Sequence, residues 1–310
     1  MAKRMINKTH IEGWLYQHSL EIKESGPNSK NPGTVFISGN VDIATDNAMT
    51  NIVTVHYTYT TATTSTGKAN ASFNVLKDII DKKLYSVMEH GADKASLLAI
   101  DSAIGLNEFY SDRNGKEELV SAKRNEGGFI VVKSSLNEDE TKRNTFDVDM
   151  VITGTRMIEA DEEKNLPEKL IIKGAIFDFR NSLLPVEFSV LNERAISYFD
   201  GLGATQHEPV FTRLQGRLVS EVVTRTVTEE GAWGEPIVKT FSNTRKDYVI
   251  TWAAASPYEW DDEGSITVAE MNEAMSNRAT YLAALRQRQD EYKASKNQGS
   301  AAPATGGFNF

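Results

Sequence analysis

The sequence predicts a mainly β protein: two similar five-stranded units in tandem, each with a helix between its third and fourth strands, then a C-terminal helix and a disordered tail. Three observations carry this expectation. Lys169 to Phe199 compresses a strand, a turn, a second strand and a helix start into one run; the same pattern occurs nearer the N-terminus; and each copy is followed by two further strand-like stretches.

In Lys169 to Arg180, Leu170, Ile172, Gly174 and Ile176 alternate with Ile171, Lys173, Ala175, Phe177 and Phe179, which is the two-residue period of a strand, bent at its glycine. Asn181-Ser182 is a turn, Val186, Phe188 and Val190 alternate again, and Asn192 caps a helix carrying Ala195, Ile196 and Phe199. Gly174 lies 135 positions beyond Gly39. At that offset Val35, Ile37 and Val41 match Leu170, Ile172 and Ile176, while Val53 and Val55 match Phe188 and Val190.

Upstream, Ile11 to Ser25 reads as one long strand, with Thr145 to Ala160 as its counterpart. Downstream, Phe73, Leu76, Ile80 and Leu84 line one side of a helix. Residues 91–112 suggest further helix and turns, and Glu117 to Lys123 and Gly128 to Ser134 read as strands joined by a turn at Arg124 to Gly127. The corresponding pair in the second unit is longer, Val210 to Glu230 and Ile237 to Trp252. Thr267 and Glu270 have the spacing of a capping box at the start of a helix running to about Lys293. The expected divisions are residues 1–136, 145–254, a linker and helix at 255–296, and a flexible tail at 297–310 ending in Phe308 and Phe310. The order strand, strand, strand, helix, strand, strand is that of an OB-fold barrel.

The chain has 310 residues and a formal charge of −9, which disfavours a simple polycation for nucleic acid but permits a local basic groove. It contains no cysteine, so thiolate metal sites and disulfides are excluded. No apolar run is long enough for a transmembrane helix, and the basic N-terminus lacks a signal-peptide core. Phosphate-binding and nucleotide-binding glycine motifs, HExxH and GxSxG are absent, and the histidines 10, 18, 56, 90 and 207 are scattered. Neither an enzyme, a cofactor nor a metal site is expected. The expected compartment is the cytoplasm, that of a host if the protein is viral.

Binding residues are sought where aromatics and cations interleave, because bases stack on rings while cations neutralise phosphate. Lys173, Phe177, Phe179 and Arg180 share or adjoin one strand face, which is either a ligand surface or core. Arg213, Arg217 and Arg225 have one parity on the first long strand of the last hairpin, with Lys239, Arg245 and Lys246 on its partner; these cations either track a backbone or form a solvated face with Glu221 and Glu229. Trp233 lies at the hairpin tip, placed to stack on a base or on a neighbouring element. The equivalents in the first unit are Trp14 and Tyr16 on the first strand and Tyr57 and Tyr59 on the third, the last two being either stacking rings or core, since they share the parity of Val53 and Val55.

Taken together, these features resemble the single-stranded DNA-binding proteins of the bacteriophage kind, over about residues 10–254 plus the tail. The resemblance implies single-stranded DNA in the barrel grooves and replication or recombination partners on the tail, with homo-oligomers also open. The chain departs from it in having no carboxylate side chain from Asn297 to Phe310; its acidic cluster, Asp261-Asp262-Glu263, precedes the helix instead. A virion structural or assembly protein made of β-domains suits the threonine-rich strands equally well.

Overall fold

The computed structural model describes residues 5–27, 29–113, 116–161, 166–229, 233, 236–261 and 265–298, without the side chains of 113, 221–227, 237, 240–245 and 295–298. Strands dominate. The first half holds β1 (Asn7–His18), β2 (Glu21–Glu24), β3 (Val35–Ala44), β4 (Ile52–Thr61), the helices α1 (Ala71–Ile80) and α2 (Val87–His90), and the long hairpin of β5 (Leu97–Arg113) and β6 (Lys116–Lys133). The second holds β7 (Asn144–Ile158), β8 (Lys169–Phe177), β9 (Leu183–Val190), α3 (Glu193–Gly201), β10 (Val210–Glu229) and β11 (Ile237–Ala253), and then α4 (Val268–Gln298).

The pairings close on themselves twice. β1 pairs with β3, β3 with β4, β4 in parallel with β6, β6 with β5, and β5 returns to β1. The circuit β7, β8, β9, β11, β10 repeats this, again with one parallel step, β9 to β11. β1 and β7 join the circuits into one 11-stranded sheet through Asn7↔Val148 to Ile11↔Asn144. Each joining strand divides its edge. The first part of β1 pairs with β7 and its later part, from Trp14, with β3; β7 does likewise with β1 and β8.

Gly39 and Gly174 each sit where another stretch of backbone approaches closely. A Cβ on Gly39 would strike the Ser19 carbonyl oxygen, and one on Gly174 the Val151 carbonyl oxygen. Gly39 also has φ 131°, which favours glycine. Asn192 caps α3 by accepting from Arg194 and Ala195 N–H. At α4, Thr267 N–H reaches Glu270 Oε2 at 2.9 Å and Glu270 N–H reaches Thr267 Oγ1 at 3.1 Å, closing the expected capping box.

Three expectations of secondary structure are corrected. The strand expected over Ile11 to Ser25 breaks between β1 and β2, where Ser19 turns toward Asn40. Residues 97–113 are strand β5 rather than helix, with Leu98, Ile100 and Ile104 in the core. The turn expected at Arg124 to Gly127 lies inside β6: Asp101 faces Phe129 while Ala103 faces Glu126, so the two glycines 127 and 128 form a bulge.

One apolar core runs through both circuits, from Ile11, Val55 and Leu76 to Phe146, Ile172, Phe188 and Phe199. A second lies on the outer face of β7, β8 and β10, where Val151, Phe177 and Phe211 are covered by Tyr258, Trp260, Ile266 and Ala274. Phe177 is 1% exposed, its ring 6.5 Å from that of Phe211. Its assignment to a ligand surface is therefore corrected: the C-terminal segment makes that face of β8 a core. Between the circuits, β6 sends Lys123 over the rings of Phe188 (5.2 Å) and Tyr248 (4.7 Å), with its ammonium donating to the Glu187 carbonyl. Burial pushes the Lys123 amine down to about 8, against the raising fields of Asp247 and Glu187.

This packing makes two predictions. Phe177→Ala should cost about 3–5 kcal/mol in urea unfolding; a loss below about 1 kcal/mol would contradict its place in the core. Between pH 8 and 10.5 unfolded Lys123 holds a proton that the folded chain has shed, so this group makes stability rise with pH there. Burial raises Tyr57 and Tyr248, which opposes the rise above about pH 10. Hence the stability deficit of the wild type relative to Lys123→Met should shrink from pH 8 to 10, and parallel pH profiles would contradict the assignment.

Candidate nucleic-acid interface

Where the two circuits meet, an open cleft of about 1840 Å³ runs past β1, the β5 and β6 ladder, the end of β8 and one side of α4. Asn7 ties its walls together. The Asn7 Nδ2 donates to the carbonyls of Ile104 (2.9 Å) and Phe177 (3.0 Å), and Asn7 Oδ1 accepts from Ile104 N–H at 3.0 Å. The β8 to β9 turn beyond Phe177 is held by Asp178 Oδ1, which accepts from Arg180 and Ser182 N–H, both at 2.8 Å, with Asn181 at φ 56°. That turn projects Phe179 outward, 69% exposed, with the Arg180 guanidinium 4.8 Å from its ring centre.

Tyr59, 47% exposed, lines the cleft from β4 and packs on Phe36 at 4.5 Å. It continues the parity of Val53, Val55 and Tyr57, but lies beyond the enclosed part of the circuit. Tyr57, itself buried, has no hydrogen-bond partner for its Oη among the described residues. The α4 wall contributes Tyr281 and Arg278, whose guanidinium is 5.6 Å from the Tyr281 ring and grips buried Glu108 at 2.6 and 2.5 Å. That face of α4 is set by Met271, Ala274, Arg278, Leu282 and Leu285, less exposed than their neighbours at helical spacing.

The charges in the cleft are largely paired. Arg124 meets Glu126 at 2.7 Å, and His10 meets Asp101 at 2.7 Å and Glu12 at 3.3 Å. Lys8 and Arg180, both exposed, make no ion pair among the described residues. The three exposed rings Tyr59, Phe179 and Tyr281 therefore stand beside few cations without an ion pair among the described residues.

Of the residues expected from sequence to bind, Tyr59, Phe179 and Arg180 come together in the cleft with the buried Tyr57 and Phe177. The others lie elsewhere. Trp14 is half-buried on β1 with the Arg143 guanidinium 5.5 Å from its ring, and Tyr16 is half-buried farther along the strand. Lys173 pairs across the ladder with Glu187 (3.5 Å), Arg213 with Asp147 (2.8 and 2.5 Å), and Lys239 with Glu229 (2.8 Å), while Arg217 donates to Asn144 Oδ1 at 3.0 Å. The hydrogen bond to Asp147 raises the Arg213 pKa further. Trp233 stands 92% exposed beyond the end of β10. The side chains of Arg225 and Arg245, and Phe308 and Phe310 altogether, lie outside the described residues.

The YorF family model matches residues 6–293. The chain belongs to the YorF family. No curated protein matches it. Among solved structures, a deletion mutant of the single-stranded DNA binding protein from Thermus aquaticus is similar at TM-score 0.45 and 11% identity, over 84% of this chain and 97% of that one. The wild-type Thermus aquaticus protein gives 0.43 and 11%, over 83% and 95%. A replication protein A heterotrimer bound to single-stranded DNA gives 0.21 and 10%, over 82% and 66%. Likeness this loose assigns the chain neither a ligand nor a role.

In this YorF-family chain the cleft residues that sequence reasoning missed are Asn7, Lys8, Arg124 and the α4 pair Arg278 and Tyr281. Arg124 was hidden by the expectation of a turn, and the α4 pair by tertiary contact across 170 positions. No helix among the described residues is long and apolar enough to cross a membrane, and no three of their His, Asp and Glu side chains gather to hold a metal.

Proposed function

We propose that the protein is a non-enzymatic, largely sequence-independent binder of single-stranded DNA, which it holds in the cleft by stacking bases on Tyr59, Phe179 and Tyr281. The observation that carries this reading is the cleft itself. At about 1840 Å³ it exceeds the roughly 300–1,000 Å³ of small-molecule sites, and its walls carry the exposed rings of Tyr59, Phe179 and Tyr281 beside charges that are mostly paired with one another. Flat, exposed rings accept any base, since every base has a π-face.

We further read each strand circuit as an OB-like barrel, at residues 1–136 and 145–254, and the two as a tandem repeat. The shared order of pairings, the parallel step in each and the matched glycines 39 and 174 support this. In OB-folds the face of the second and third strands and the adjoining loops bind oligonucleotides; in the first circuit that face includes Phe36 and Tyr59. Trp233, beyond the end of β10, is a further exposed ring suited to a base. A role in replication or recombination, with the tail residues Phe308 and Phe310 engaging partner proteins, completes the proposal.

Fluorescence titration with oligo-dT tests it. Phe179→Ala should weaken binding by about 1–3 kcal/mol, which is about 5- to 150-fold. With Lys8 and Arg180 as the uncommitted cations, log K should fall with log salt at a slope of about −1.4, or roughly sevenfold between 50 and 200 mM. No binding at micromolar protein, or an undiminished Phe179→Ala, would refute the reading.

A further inference from the structure

A second, smaller cavity of about 300 Å³ lies on the seam between the circuits, bounded by the outer face of β4, by β6 and by the β10 and β11 ladder. Arg124 also faces the large cleft; the other lining residues are distinct from it. The pocket's charged residues are Lys123, Arg124, Lys246 and Asp247. Two of these are matched: Arg124 by Glu126 at 2.7 Å, and Asp247 by Lys169 at 2.7 Å and the Ser189 hydroxyl at 2.7 and 2.8 Å. Burial opposes ionisation of Asp247, yet the bonds from Lys169 and Ser189 hold its carboxyl below the usual range, so it stays an anion.

That leaves two ammoniums. Among the described residues neither Lys123 nor Lys246 makes an ion pair; Lys123 donates to a carbonyl and Lys246 to Thr54 Oγ1 at 3.2 Å. His56, its Nδ1 2.6 Å from Asn40 Oδ1, and the Asn107 amide add neutral hydrogen-bonding groups to the walls. A concave site lined by three cations and one carboxylate, two of the cations without a direct ion pair among the described residues, favours an anion even in a chain whose net charge is −9. Lysine is a point-charge phosphate binder and asks for no planar ligand. The volume suits one phosphate-bearing group and not a polymer.

We propose that this seam pocket binds a single tetrahedral phosphate oxyanion between Lys123 and Lys246, with Thr54, His56 and Asn107 completing its hydrogen bonds. The anion offsets the cost of burying the Lys123 ammonium and ties β4 of the first circuit to β11 of the second. Free inorganic phosphate and a nucleic-acid phosphodiester share this chemistry. The site does not depend on what occupies the large cleft.

Calorimetric titration of the full chain at fixed ionic strength distinguishes the sources, with inorganic phosphate in one arm and thymidylyl-thymidine, which has one phosphodiester and no terminal phosphate, in the other. At least one probe should bind saturably. Lys246→Gln, an exposed position whose loss leaves the core intact, should weaken that binding about 10-fold or more, the loss expected of a charged hydrogen bond. Phe179→Ala should leave it unchanged. Absence of saturable binding by both probes, binding within twofold of wild type in Lys246→Gln, or dependence on Phe179 instead would each overturn the proposal.

Discussion

The edge of β1 is asked to satisfy two partners, and the architecture depends on how it divides them. A strand has two edges, and β1 gives one to β5; on the other, residues 7–11 pair with β7 and the stretch from Trp14 pairs with β3. β7 solves the same problem in the same way, using residues 144–148 for β1 and the stretch from Val151 for β8. The antiparallel crossing at Thr9↔Phe146 is therefore a local two-fold. It leaves no unpaired edge between the circuits, whose backbone groups would otherwise be buried without partners. The cleft exists because the circuits are joined along this short crossing.

Side chains then stiffen the crossing. Asn7 binds both walls, Asn51 spans to the Leu218 carbonyl and Ser220 N–H, and Lys123 covers two aromatic rings of the opposite circuit. The same economy explains why Lys173 and Arg213, which looked free in the sequence, are not. On an antiparallel ladder a residue faces its cross-strand neighbours, so Lys173 meets Glu187, and Arg213 meets Asp147 diagonally. Pairing of this kind orders the sheet and leaves those cations less available to a ligand, which is why the proposed binding mode leans on stacking.

Much of the fold was legible because its signals are local. Alternation marked β3, β4, β8 and β9 to within a few residues, Asn192 and Thr267 announced their helices, and Gly39 and Gly174 marked places where backbones approach closely. β5 was missed although Leu98, Ile100 and Ile104 alternate, since Gly127 and Gly128 imitate a turn when they are a bulge against Ser102. The site was less legible. Phe177 and Phe179 have the same parity and the same chemistry; what separates them is the turn held by Asp178 and the cover of Tyr258, Trp260, Ile266 and Ala274 over Phe177. No local pattern reports a cover that arrives from some 80 positions away. Tyr57 and Tyr59 differ likewise in where the circuit ends, and not in sequence character.

Contact between bases and the exposed rings of the cleft is the central claim, and photo-crosslinking reads that contact directly. An oligo-dT carrying 5-iodouracil, irradiated with the full chain and digested for mass spectrometry, should give adducts on peptides containing Phe179 and Tyr59. Adducts confined to peptides outside the cleft, or none above a denatured control, would contradict it.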